Sequence, residues 1–77
     1  MADSQLDATG LKCPIPVLKA RKIARGLPGG TTLEVLATDP GSVPDFEAFC
    51  KTGGHELLEH SRDGEVFRFL IKLADGA

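Results

Sequence analysis

The sequence predicts a two-layer α/β (α+β) sandwich of order β-α-β-α-β-β, with a mixed four-stranded sheet carrying two helices on one face. Three observations predict it. Apolar residues alternate with a period of two around Leu6, Leu33 and Phe69; the period changes to helical spacing twice between them; and Gly/Pro clusters mark each change. Strands joined through helices, with their apolar residues on one face, require the helices to cover that face. The 77 residues leave room for one core, so residues 1–77 read as a single domain. A chain of this size buries only roughly 60% of the surface it exposes unfolded, which disfavours a deep substrate pocket and directs function to the surface.

The elements follow in order. Leu6 and Ala8 alternate with polar neighbours in a short strand ending at Gly10. From Pro14 to about Arg25, Pro16, Ala20, Ile23, Ala24 and Leu27 fall at helical spacing, with Arg21, Lys22 and Arg25 on the other side, which makes an amphipathic helix. Gly26 stands where a left-handed residue would end it, and Pro28-Gly29-Gly30 turns the chain. In Thr31 to Thr38, Leu33, Val35 and Ala37 alternate with Thr32, Glu34 and Leu36, a strand with one buried face. Ser42-Val43-Pro44-Asp45 has the form of a capping box opening a short second helix, with Phe46, Phe49 and Cys50 apolar and Gly53-Gly54 as the stop. His55 to Arg62 is a weaker strand, Asp63-Gly64 a hairpin signal, and Glu65 to Leu73 places Phe67, Phe69, Ile71 and Leu73 in strict alternation. The first two strands should be parallel through a right-handed crossover, while the full strand order is not encoded in the pattern. Leu36, Val66 and Leu70 on the opposite face read as scattered surface apolarity or as a weak association surface.

The net charge of −2 conceals an asymmetry. Between Asp7 and Glu34 there is no acidic residue, and Lys12, Lys19, Arg21, Lys22 and Arg25 make that stretch +5 against −7 elsewhere. It reads either as a solvated helix face or as a docking patch for an acidic partner or nucleic acid. The opening residues carry Asp3 and Asp7 and no apolar run, and no stretch approaches the length that spans a bilayer, so a cytoplasmic protein without a membrane association is expected. Two cysteines are fewer than a small secreted scaffold carries, which disfavours a structural disulfide.

Cys13 is the informative residue. With Pro14 as the first helical residue, Cys13 is the N-cap and its sulfur lies at the positive end of the helix dipole. That placement favours thiolate, because helix N-termini with nearby cations lower the ordinary cysteine value of ~8.5 by about a unit or more. Lys12 is adjacent and Lys19 lies on the same helix. Pro14 and Pro16 are tolerated because the first helical N–H groups lack intrahelical partners; they stiffen the junction but remove two donors, so the shift should be modest. The competing reading is a small buried hydrophobe, against which stand the loop position, the lysine and the rigid turn. Cys50, near Phe46 and Phe49, reads as core.

Other chemistries lack residues. A zinc site would have to gather Cys13, Cys50, His55 and His60, yet no pair has finger-type spacing, and the two histidines, five apart, are expected on opposite faces of one strand. No metal and no other cofactor is expected. Pairing of Cys13 with His55 or His60 stays open. There is no phosphate-binding glycine motif, no CxxC, and no Trp or Tyr for base stacking, while the four Phe residues read as core.

Leu11-Lys12-Cys13-Pro14-Ile15-Pro16 resembles the C-P-x-P signature of the TusA (SirA-like) sulfur-carrier family. Leu6-Asp7-Ala8-Thr9-Gly10, Ala37-Thr38-Asp39-Pro40-Gly41 and Gly54-His55-Glu56-Leu57 also look like the family's pattern, so the resemblance spans nearly the whole chain. It implies the β-α-β-α-β-β sandwich and a persulfide on Cys13, received from a cysteine desulfurase or rhodanese and passed to an acceptor sulfurtransferase in tRNA thiolation, molybdenum-cofactor synthesis or sulfur oxidation. Such a carrier needs a presented sulfur and a docking face, which brings Lys19, Arg21, Lys22 and Arg25 forward as partner-binding residues and Lys12, Pro14 and Pro16 as supports of the motif. Two rival classes remain. One is a nucleic-acid-binding module using the basic helix, since the fold resembles the C-terminal domain of the third bacterial translation initiation factor; the missing stacking aromatics and the acidic remainder argue against it. The other is a redox protein cycling Cys13 with Cys50.

Overall fold

The computed structural model describes residues 3–74. Its elements are β1 (Ser4–Ala8), α1 (Ile15–Arg25), β2 (Thr32–Ala37), α2 (Ser42–Gly53), β3 (Glu56–Asp63) and β4 (Val66–Lys72). The sheet order is β1-β2-β4-β3: β1 and β2 are parallel, and β4 is antiparallel to both its neighbours. The α2 crossover thus carries the chain past one position to the edge strand β3, and the hairpin brings β4 back into the gap. Gly64 opens that two-residue connection at φ 61°, a conformation that glycine adopts without the steric penalty of a Cβ.

The strand alternation builds the core. Ala8, Leu33, Val35, Ala37, Phe69 and Ile71 point to the helix side, where they meet Val17, Ala20 and Ala24 of α1 and Phe46, Phe49 and Cys50 of α2. Phe46 is the keystone: it is fully buried, stacks on Phe69 at 4.8 Å and meets Phe49 edge-on at 6.1 Å. Phe67, by contrast, is only partly buried, with the Arg62 guanidinium 5.4 Å from its ring centre. On the opposite face Glu34 links Gln5 of β1 to Arg68 of β4, and Arg68 reaches Glu59 of β3 at 3.0 Å, so polar groups from all four strands run between the half-buried Leu36 and Leu70. No helix among the described residues is long and apolar enough to cross a membrane.

Four local expectations are corrected. Helix α1 begins one residue later than predicted, with Pro14 at the N-cap and Pro16 in the first turn, so Cys13 precedes the cap. Its C-terminal Gly26 has φ −96°, because N–H bonds from Gly26 to Ile23 and from Leu27 to Ala24 wind the end down in tight right-handed turns. The left-handed cap is instead Gly54 after α2, at φ 73°. No capping box forms: Gly41 is the N-cap of α2, and Ser42 already lies inside the helix. Finally, β3 carries a bulge between Leu57 and Glu59, which inserts Leu58 and changes the side-chain parity. Leu57 lies across from Ile71 and His60 across from Phe69, both inward-facing partners, so His60 is on the helix side and not opposite to His55.

Ser42 is 1% exposed and its hydroxyl has no hydrogen-bond partner. An unpaired buried hydroxyl costs about 1–3 kcal/mol, so Ser42→Ala should stabilise the fold, by about 1 kcal/mol once the small loss of packing is counted. Thermal unfolding should show the midpoint rising by roughly 4–8 °C; a lowered midpoint would mean that the hydroxyl is satisfied.

Candidate functional site

The parallel strands β1 and β2 end side by side, and the two loops that follow them make one surface. Gly10 N–H donates to Thr38 Oγ1 at 2.9 Å, tying the β1–α1 loop to the β2–α2 loop. Within the first loop, Asp7 accepts from the N–H and hydroxyl of Thr9 at 3.0 and 2.6 Å, which closes the turn before Gly10. Within the second, Asp39 accepts the Gly41 N–H on one carboxylate oxygen at 2.9 Å and the Cys13 N–H on the other at 2.8 Å. One carboxylate therefore shapes its own loop and holds the cysteine backbone in place. These bonds, together with Lys12 nearby, hold the Asp39 carboxyl below its ordinary value.

Cys13 stands exposed on this surface. Gly41 passes so close that a Cβ there would lie 3.2 Å from Cys13 Cβ and 3.4 Å from Sγ, so the glycine makes room for the thiol. The Cys13 S–H donates to Asp45 on the first turn of α2. That bond, followed by desolvation and the negative charges of Asp45 and Asp39, pushes the thiol up to about 11. The expectation of a favoured thiolate is thus overturned, for an identifiable reason. At the start of α1 the Ile15 N–H is spent on the Lys12 carbonyl at 2.8 Å and Pro14 and Pro16 have none, so little donor capacity faces the sulfur. Two carboxylates outweigh what dipole remains.

The other candidate residues separate clearly. Cys50 is 5% exposed in the core, where burial raises its thiol to about 11 as well. His55 lies past the C-terminus of α2, the end opposite Asp45; its ring lies tilted against Phe49 with centroids 4.7 Å apart, accepts the Ala74 N–H at 2.9 Å, and has its pKa lowered by burial. The hydrogen-bond partner of Cys13 is a carboxylate, and neither histidine bonds to it. Among the described residues no group of three or more His, Cys, Asp or Glu could hold a metal ion. Pro16 is fully buried and fills the core under the site, whereas Pro14 is exposed. Lys12, Lys19, Arg21, Lys22 and Arg25 are all exposed. Arg21 and Arg25 border an open groove of about 750 Å³ between α1 and α2, which starts at Pro14 and Asp45 and has Val17, Leu18 and Phe49 among its apolar walls.

Sequence reasoning missed Asp39, Gly41 and Asp45 as neighbours of the thiol. The Asp39-Pro40-Gly41 block was visible as a motif, but Asp45 looked like part of a helix cap.

A βαβ-based sandwich that presents an exposed thiol between two clamped loops has the architecture that a small thiol carrier requires. A family profile described as Sulfurtransferase TusA matches residues 4–73. The chain is 53% identical over 70 residues to the sulfur carrier protein TusA of Allochromatium vinosum, covering 91% of this chain and 92% of that protein. It is 47% identical to a putative sulfur carrier protein of Neisseria meningitidis, over 94% of this chain and 97% of the relative. In structure it is similar to a SirA-like protein from Desulfitobacterium hafniense, with a TM-score of 0.81, 26% identity, and coverage of 94% and 99% of the two chains. The chain belongs to the TusA family, and its role is that of a sulfur carrier working in relay with protein partners.

Proposed function

We propose that Cys13 carries the sulfur as a persulfide, taken from a cysteine desulfurase or rhodanese-type donor and handed to an acceptor sulfurtransferase in the cytoplasm, by residues 1–77 acting as one domain. The observation that carries this reading is the contrast between the two thiols: Cys13 is exposed at the joined loops and Cys50 is buried. Cys13 sulfur, as thiolate, attacks the outer sulfur of the donor persulfide. The donor S–S bond breaks, its electron pair leaves with the donor cysteine, and a new S–S bond joins the outer sulfur to Cys13. An acceptor thiolate then attacks that outer sulfur and Cys13 departs with the electron pair. Each step consumes one thiolate and releases one, so no oxidant is needed. Free cysteines suit a reducing compartment. Lys12 bears on Asp39, which holds the Cys13 backbone, and the two prolines support the turn.

We assign partner docking to the basic face of α1, Lys19, Arg21, Lys22 and Arg25, with an acidic segment of the partner as the occupant. The positive charge of this face supports this, since Arg21 and Arg25 border a groove whose lining includes Pro14 and Asp45, the residues next to and bonded to Cys13. Exposed charges act mainly on encounter and are screened over ~10 Å at 0.1 M salt. Changing Arg21, Lys22 and Arg25 to Glu should slow transfer between proteins about tenfold at low salt, with the difference shrinking as salt rises. Alkylation of Cys13 by iodoacetamide should be unaltered, because the charges acting on that thiol are those of Asp45 and Asp39. Transfer indifferent to salt and to charge reversal would remove docking from this face.

A further inference from the structure

Sulfur relay requires a thiolate, yet the groups facing Cys13 oppose one. From α2, Asp45 accepts the S–H; from the β2–α2 loop, Asp39 holds the N–H and adds negative charge. The cation in the thiol's own loop, Lys12, bears on Asp39. Gly41, where a Cβ would come within 3.4 Å of Sγ, leaves the space in which the thiol sits beside these carboxylates.

From this geometry we infer that Asp45 is a gate on Cys13, its carboxylate retaining the thiol proton in the unloaded carrier so that the sulfur reacts slowly with small electrophiles and small sulfane-sulfur compounds. Asp45 touches the sulfur but is not a general base: a carboxylate is too weak a base to take a thiol's proton, and its charge and the S–H bond it accepts keep that proton on sulfur. The upward displacement of the thiol to about 11 is the electrostatic counterpart of this contact. In loading, that proton must leave Sγ; it ends on the donor cysteine sulfur as the donor S–S bond breaks, so the net reaction exchanges one thiol and one persulfide for another pair. This inference rests on Cys13 as the sulfur site and adds the residue that controls when it reacts.

The pH profile of Cys13 alkylation by iodoacetamide, in a Cys50→Ser background, tests it. The unaltered site should show a midpoint well above 9.0, the ordinary value for a cysteine thiol. Asp45→Asn should move the midpoint down towards that value. The gain in thiolate, offset by its lower intrinsic nucleophilicity, should then speed alkylation at pH 8 roughly tenfold. Asp45→Glu, which keeps a carboxylate, should restore much of the high midpoint, a result that mere loss of helix-start packing would not produce. A midpoint at or below 9.0 with Asp45 intact overturns the gate even if Asp45→Asn fails to fold, as does an unchanged profile in a folded Asp45→Asn protein. Persulfide mapping by mass is a separate readout, so loss of the Cys13 assignment and loss of the gate give different results.

Discussion

Cys13→Ser is expected to abolish sulfur loading altogether, while Cys50→Ser retains it. Incubated with a desulfurase and cysteine, or with a rhodanese and thiosulfate, the unaltered protein should gain the mass of a sulfur atom, and peptide masses should place it on Cys13. The expected effect is all-or-none because a serine hydroxyl cannot hold a persulfide, and the remaining thiol is 5% exposed in the core, out of reach of a donor cysteine on another protein. Folding should be unaffected in Cys13→Ser, since the side chain is exposed and the Asp39 bond is to its backbone. Sulfur mapping to Cys50 would overturn the proposed mechanism and leave the family membership standing.

Phe46→Ala should be the most damaging change to the fold. Phe46 joins α2 to the sheet through its contact with Phe69 and to its own helix through Phe49. Truncating a buried Phe costs about 3–5 kcal/mol in lost transfer free energy and cavity formation. A single core in a domain of this size rarely supplies more than about 3–5 kcal/mol, so the variant should be largely unfolded at 25 °C. Far-UV circular dichroism and a urea titration would show it. A cooperative transition shifted by less than about 1 kcal/mol would mean that α2 is held by something other than this contact.

The cysteine site was legible in part. The C-P-x-P stretch and the glycine before it mark where the chain leaves β1 and starts α1, and those signals are local, so Cys13 stood out. Its proton state was not legible, because Asp39 and Asp45 are 26 and 32 residues away in the chain. A helix-dipole argument weighs only what is nearby in sequence. It gave the wrong sign here because the opposing carboxylates arrive from another loop and another helix. The histidine faces failed for a similar reason: counting in twos along His55 to His60 assumes a regular strand, and the bulge at Leu58 exists only in the pairing with β4.

The sequence by itself determined the element order, the buried faces of β1, β2 and β4, the polar side of α1 and the exposed cysteine as the candidate site. All of these follow from periodicity and turn chemistry, interactions that act over a few residues. The tertiary structure alone decided that β4 lies between β2 and β3, that β3 bulges at Leu58, and that Cys13 faces Asp45. Those outcomes depend on which distant segments meet. Backbone pairing between remote strands and the field of charges brought together by packing have no counterpart in the local pattern of residues, and in this protein they place two carboxylates against Cys13.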